Sequence, residues 1–187
     1  GEFLRTLTEE WKPDVIMGKA ELTKAVGRWL PGYELAEKNL YLLEDSAHLI
    51  GEAGLPEGVT MKKGVPGDED KIHAFLMTIP EIRALYASKE MIADRLKSGD
   101  GNHLYLERNG EIIAHVNSAA KSPFTVMLGG AAVKEKERGK NLEALLVSRI
   151  SRDILAEGKK PCLFCDRGEE HNLFVQIGFQ KAGIWGT

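Results

Sequence analysis

The order of apolar runs in this 187-residue chain predicts a mixed α/β fold, of the α+β kind, in which a mostly antiparallel central sheet is flanked by helices. Three observations carry that expectation. Asn109-Gly110 stands between two strand-like runs, and both residues accept positive φ, so the pair marks a tight hairpin and antiparallel pairing. An apolar run ending at Val133 leads through a charged turn into Leu142, Leu145, Leu146, Ile150 and Ile154 at helical spacing, which is a strand-to-helix connection. The stretch 51–58 holds Gly51, Gly54, Pro56 and Gly58, and reads as a boundary between a small lobe of residues 1–57 and a larger domain of residues 58–187.

Before that boundary, residues 14–17 read as a short strand. Residues 19–30 read as a helix with Leu22, Val26, Trp29 and Leu30 on one side, ended by Pro31-Gly32, and residues 40–43 as another strand. This strand-helix-strand lobe is too small to bury a core of its own and is expected to lean on the larger piece. After the boundary, residues 59–63 form a strand, and 68–79 a helix opened by an acidic cluster. Pro80 separates that helix from a second at 81–96, which stops at Ser98-Gly99. The hairpin strands are 102–108 and 111–119, followed by an apolar strand at 124–133. The helix of 139–157 is stopped by Gly158, and strand 162–165, helix 169–177 and strand 179–185 complete the order.

Composition excludes several classes. With 28 acidic against 25 basic residues the formal charge is −3, which gives no long-range attraction for nucleic acid or anionic lipid and suggests neither as a partner. No apolar run approaches the ~20 residues that cross a bilayer, and the first residues lack the apolar stretch of a secretion signal, so the expected location is cytoplasmic. Cys162 and Cys165 form a lone C-x-x-C with no second pair at metal-ligand spacing. On a strand, residues i and i+3 point to opposite faces, so the thiols are read as two small core residues rather than a redox or metal pair.

The segment that carries chemistry is Ala132-Val133-Lys134-Glu135-Lys136-Glu137-Arg138-Gly139-Lys140-Asn141-Leu142. A basic, glycine-containing turn opening a helix presents free N–H groups and the positive end of the helix dipole, which suits a phosphate; a solvated turn is the plainer reading. It is neither a Walker A motif nor a dinucleotide fingerprint.

Three stretches in the right order give a resemblance. Val133-x4-Arg138-Gly139-Lys140-Asn141-Leu142 looks like the acyl-CoA pyrophosphate loop of the GCN5-related N-acetyltransferases. Strand 162–166 followed by Glu170-His171-Asn172-Leu173-Phe174 looks like that family's next strand and helix, and Ile177-Gly178-Phe179 like the junction that follows. The likeness runs from about Val59 to the C-terminus. It implies an acyl-CoA N-acyltransferase-like fold and transfer of the acetyl group of acetyl-CoA, used as cosubstrate without a metal, to a primary amine on a small molecule or peptide. It further implies that Ala131, Ala132 and Val133 lend backbone groups to the pantetheine arm, that Arg138, Gly139, Lys140, Asn141 and Leu142 hold the pyrophosphate, and that a strand amide polarises the thioester carbonyl. No nucleic acid or membrane is expected as partner, and homodimers are frequent among relatives.

The departures from the family pattern matter equally. Asn141 and Glu143 stand where the motif has two small residues. Asn tolerates positive φ, but Glu143 would repel a pyrophosphate. Phe174, assigned to the cofactor side, stands where many members carry a Tyr that protonates the leaving thiolate; a thiol of pKa near 8.5 leaves tolerably without it. A base is needed to free an amine of pKa near 10.4, and the candidates are His115, on a strand face with Asn117, and Asp166, at its strand's end. His48, His73, His103 and His171 have weaker claims. An impaired acyl-CoA-binding or regulatory module on the same fold is the alternative reading, and a cofactor-free interaction domain a third. The short C-terminal segment leaves room for one strand but not a closing hairpin, so the missing strand is expected from residues 15–17, from residues 40–43 or from a second copy of the chain.

Overall fold

Two kinds of strand build the sheet, those buried on both faces near the middle of the sequence and those half-exposed near its ends. The computed structural model describes residues 2–30, 32–99, 101–168 and 172–186. In chain order the elements are α1 (Glu2–Trp11), β1 (Gly18–Lys19), α2 (Ala20–Gly27), β2 (Glu37–Leu42), β3 (Val59–Lys63), α3 (Glu69–Met77), α4 (Lys89–Ser98), β4 (His103–Arg108), β5 (Glu111–Lys121), β6 (Thr125–Val133), α5 (Leu142–Ala156), β7 (Lys160–Asp166), α6 (Asn172–Gln176) and β8 (Gln180–Gly186). They fall into two compact units. One comprises Leu43–Cys162 and Leu173–Phe179, the other Gly1–Leu42, Leu163–Asn172 and Gln180–Thr187.

In the larger unit β3, β4, β5 and β6 pair antiparallel in sequence order, and β6 then pairs in parallel with the start of β7. The hairpin forms as its turn residues require, with φ of 52° at Asn109 and 82° at Gly110 and with Arg108 facing Glu111. Helices α3 and α4 cover this part of the sheet through Ile72, Phe75, Leu76, Ile92 and Leu96, which pack with Tyr105 and Ile112. The predicted stripe of α5, Leu142, Leu145, Leu146, Ile150 and Ile154, is buried throughout, and the helix packs on β4, β5 and β6. Cys162 and Cys165 are both buried and neither forms a disulfide, and burial pushes the Cys162 thiol up.

One expected helix is two elements. Residues 81–96 divide into a 3-10 turn, Arg83–Tyr86, and α4. The extended backbone of Ser88 (ψ 116°) breaks the run, and its Oγ accepts the Met91 N–H at 3.2 Å to restart the helix. The stop at Gly99 is as expected, with a left-handed φ of 73°.

In the other unit β8 lies between β1 and β2 and pairs antiparallel with both, and the order is β1-β8-β2-β7. Of the three sources expected for the missing strand, the one around residues 40–43 is realised, from Glu37↔Gly186 to Leu42↔Gln180. Residues 14–17 are not a strand. They run irregularly, with Val15 and Met17 more than half exposed, and the two-residue β1 follows them. Helix α2 ends at Gly27 and packs on β8 through a different face from the one expected: Ala20 and Thr23 are buried with Leu30, while Leu22 and Trp29 are exposed. Thr23 stands so close to Gly186 that a Cβ there would lie 1.9 Å from the Thr23 hydroxyl, so only glycine fits. Helix α1 was not expected and buries none of its residues. Pro31, Glu169, Glu170 and His171, invoked in the sequence reading, lie outside the described residues.

Candidate functional site

The turn between β6 and α5 takes a shape that the sequence makes possible at two points. Gly139 (φ 79°) and Asn141 (φ 57°) are both left-handed, the conformation glycine adopts freely and asparagine tolerates. Asn141 is the N-cap of α5, yet its side chain makes no cap hydrogen bond. The first intrahelical bond is from the Leu145 N–H to the Asn141 carbonyl, so the N–H groups of Leu142 and Ala144 precede the helical ladder and stand at the helix mouth with the helix dipole behind them.

The charged side chains of the turn are held by carboxylates. Arg138 pairs with Glu81 at 2.9 Å, and Lys140 and Arg108 both reach Glu137, at 3.0 and 2.6 Å. Lys134 pairs with Glu111 at 2.5 Å. These cations hold Glu81 and Glu137 below the usual carboxylate range, with the backbone hydrogen bond leading for Glu81 and the Lys140 bond for Glu137. Arg108, Glu111, Lys134 and Glu137 line a surface cleft of about 470 Å³ beside the turn. The helix mouth therefore presents backbone amides, while the cations of the turn are engaged by carboxylates. Glu143, half-exposed, lies near enough to Arg138 to help hold its guanidinium charged.

Strand β6 carries the second half of the site. Its pairing with β7 covers Thr125↔Lys160, Val126↔Pro161 and Met127↔Cys162. Residues 128–133 continue the strand with pairing to β5. The Lys134 N–H donates to the Ile113 carbonyl, and Ala132 lies opposite His115. By the alternation of an antiparallel ladder, Ala132 turns its N–H to β5, while Ala131 and Val133 turn theirs to the other edge. Such an edge offers backbone donors and acceptors to an extended ligand, as an added strand would use them. Ala131 and Val133 are half-buried, and the Ala132 methyl belongs to the core under α3.

A bulge interrupts β6 at this point. Between His115↔Ala132 and Asn117↔Gly129 the strand β5 advances two residues and β6 three, and the extra residue, Gly130, has φ 56°. A Cβ at Gly130 would lie 2.6 Å from the Tyr86 hydroxyl and 2.9 Å from Asn117 Oδ1, so no side chain fits. Tyr86, buried, donates its O–H to Asn117 Oδ1 at 2.8 Å, and burial raises its phenol pKa. Tyr86, Asn117, His103 and the bulge glycines were not among the expected site residues. The adjacent Gly129-Gly130 inside an apolar strand is the sequence signal that marks this place.

The two base candidates stand where the sequence puts them, His115 on β5 and Asp166 at the end of β7, and the structure shows what surrounds each. His115 is fully buried, with Nδ1 2.9 Å from the Gly130 carbonyl and Nε2 2.9 Å from Nδ1 of His103. Burial, with the His103 imidazole beside it, pushes its pKa down to about 3. Both nitrogens are engaged, so the geometry withholds this imidazole from accepting an amine's proton. Asp166 is exposed and pairs with Lys38 at 2.8 Å, within the smaller unit. Phe174 is buried edge-on against Phe179, with ring centroids 6.1 Å apart, and works as a core residue. Among the described residues no cluster of His, Cys, Asp and Glu is arranged to hold a metal, and no helix is long and apolar enough to cross a membrane.

Solved structures share this architecture. A GCN5-related N-acetyltransferase-like protein from Streptococcus suis matches at a TM-score of 0.65 with 15% identity, over 97% of this chain and 74% of that one. A protein of Novosphingobium aromaticivorans assigned to the GNAT acetyltransferases matches at 0.64 with 16% identity, over 83% of this chain. This chain spans 66% of that protein's length. A Clostridium acetobutylicum protein assigned as an acetyltransferase, crystallised with acetyl-CoA, matches at 0.55 with 14% identity, over 66% of this chain and 91% of that one. No protein-family model and no curated protein matches the sequence. Likeness at these identities shows the fold, a mixed sheet flanked by helices as in the GNAT acyltransferases.

Proposed function

From a chain with the fold of the GCN5-related N-acetyltransferases, we propose an enzyme that moves the acetyl group of acetyl-CoA to a primary amine by direct attack. The observation that carries the reading is the juxtaposition along one segment of an open β6 edge and an uncapped α5 mouth, joined by a turn with left-handed Gly139 and Asn141. That segment suits a ligand with an extended amide-bearing arm and a pyrophosphate. Acetyl-CoA would supply an acetyl thioester whose carbonyl carbon takes the amine lone pair as the C–S bond breaks.

The residues of this chain bind and orient. Leu142 and Ala144 N–H groups face the phosphates, and Ala131 and Val133 offer their backbone edge to the arm. A strand amide polarises the carbonyl, and one well-placed donor of this kind is worth about 10²–10³ in rate. With His115 sealed, the neutral amine comes from the acceptor's own ionisation. The rate therefore rises about tenfold per pH unit below an amine pKa near 10.4. With Phe174 in the core, the thiolate leaves unassisted; the proton that the nitrogen sheds as it becomes an amide passes to solvent, and the thiolate takes one from water.

A calorimetric titration of the full chain with acetyl-CoA tests the reading, followed by thiol release across a panel of primary amines. The native chain is expected to bind, and Gly139→Asp, which sets a carboxylate and a Cβ on a left-handed residue, to lose at least tenfold in affinity. Glu143→Ala is expected to bind more tightly. Absence of binding by both the native chain and Glu143→Ala would sink the proposal. Binding with no turnover on any amine would favour the second reading, an acyl-CoA-binding module, to which the buried Phe174 and the sealed His115 already point.

A further inference from the structure

Resting on the acyl-transfer reading, we propose that the buried pair His103 and His115 is a positioning device that holds the peptide between Gly130 and Ala131 so that the Ala131 N–H meets the acetyl carbonyl oxygen. The hydrogen-bond chain admits one assignment of protons. The Gly130 carbonyl can only accept, so His115 Nδ1 carries a hydrogen and donates at 2.9 Å. In a neutral imidazole His115 Nε2 is then an acceptor, and His103 Nδ1 must donate to it across 2.9 Å. His103 Nε2 is left as a buried acceptor without a partner. Each ring's tautomer is thereby dictated, link by link, by one backbone carbonyl.

That carbonyl needs such a partner because of the bulge. Gly130 and Ala131 both lie between Ala132, which pairs with His115, and Gly129, which pairs with Asn117, so β6 carries one residue more than β5 here, and the left-handed φ of 56° marks Gly130 as the bulge. The His115 side chain stands in for the missing strand partner. In a trans peptide the C=O of one residue and the N–H of the next point in opposite directions. With the Gly130 carbonyl drawn toward the imidazole, the Ala131 N–H points away from β5, to the edge beyond the last β6–β7 pair at Met127.

The surroundings keep the arrangement rigid. Both imidazoles are fully buried, Phe75 packs on His115 with ring centroids 6.3 Å apart, and Tyr86 and Asn117 close over Gly130. Burying two imidazoles and leaving one nitrogen unpartnered disfavours folding. An apolar pair would fill the same core space, so the fold gains something other than packing from these residues.

Amide NMR spectra of the ¹⁵N-labelled full chain, titrated with acetyl-CoA and separately with coenzyme A, test the proposal. The Gly139, Leu142 and Glu143 amides are expected to move with both ligands. The Ala131 amide proton is expected to move downfield with acetyl-CoA and not with coenzyme A, which has no acetyl oxygen. In His115→Phe that difference should vanish while the loop shifts remain. In His115→Asn, whose amide nitrogen falls near the place of Nδ1, the difference should return. Equal Ala131 shifts with the two ligands, or an undiminished difference in folded His115→Phe, would overturn the positioning role and leave acyl-CoA binding standing. Loop amides that ignore both ligands would overturn the acyl-transfer reading and this inference with it. Should His115→Phe fail to fold, His115→Gln, whose amide falls near the place of Nε2 rather than Nδ1, takes its place: the difference should vanish there, and its persistence would overturn the positioning role.

Discussion

Among the described residues, two buried imidazoles give the fold a pH dependence. Burial pushes His103 down to about 4, with Arg95 adding to it, and pushes His115 down to about 3 from the same ordinary value of 6.5. In the unfolded chain both imidazoles protonate as the pH falls below about 6.5, while in the folded chain they stay neutral until far lower. The unfolded state therefore binds more protons in this window, and stability rises with pH up to about 6.5 and is lost below it. Two such groups would remove about 4 kcal/mol between pH 7 and pH 5. Glu81, Glu107 and Glu137, held low by their cationic partners and backbone contacts, add their losses only below about 4.5. Urea midpoints at pH 7 and pH 5 measure the effect; equal midpoints would show that these imidazoles are not buried neutral. Sequence inspection singles out His115 but not its role, because a strand face tells which way a side chain points and not whether its nitrogens meet solvent.

Among the elements, α4 shows how one polar side chain sets a boundary. Helical periodicity continues through 81–96, yet Ser88 supplies the cap that starts α4 seven residues into that run. Ser88→Ala is expected to cost about 1 kcal/mol by removing the acceptor for the Met91 N–H, read as a lower urea midpoint with unchanged slope. A change below a few tenths would mean that packing of Ile92 and Leu96 alone holds the helix. The hairpin at Asn109-Gly110 and the α5 stripe were legible because each depends on local chemistry, a positive φ or a 3.6-residue period. The shortened α2 and the solvent-facing Leu22 and Trp29 were not, because the face a short helix buries is chosen by its neighbour, here β8.

At the scale of the whole chain, the last strand depends on the first residues. Strand β8 pairs with β1 and β2, and both lie before residue 43. Residues 58–187 expressed alone would leave β8 without these two partners and expose its backbone edges. That fragment is expected to be insoluble or to melt without a cooperative transition, whereas the full chain melts in one or two sharp steps. A soluble, cooperatively melting fragment would mean that β8 is dispensable to the rest.

The sequence by itself determined the strand and helix order from Val59 onward, the hairpin, the glycine-containing turn into α5 and the slightly acidic charge balance, since periodicity, turn chemistry and composition are local properties. Only the tertiary structure decided which early segment would pair with β8, that Gly130 would bulge, and that His115 would be sealed against His103. Each of these depends on what stands opposite a residue rather than beside it, and partners distant in the chain leave no mark on local pattern.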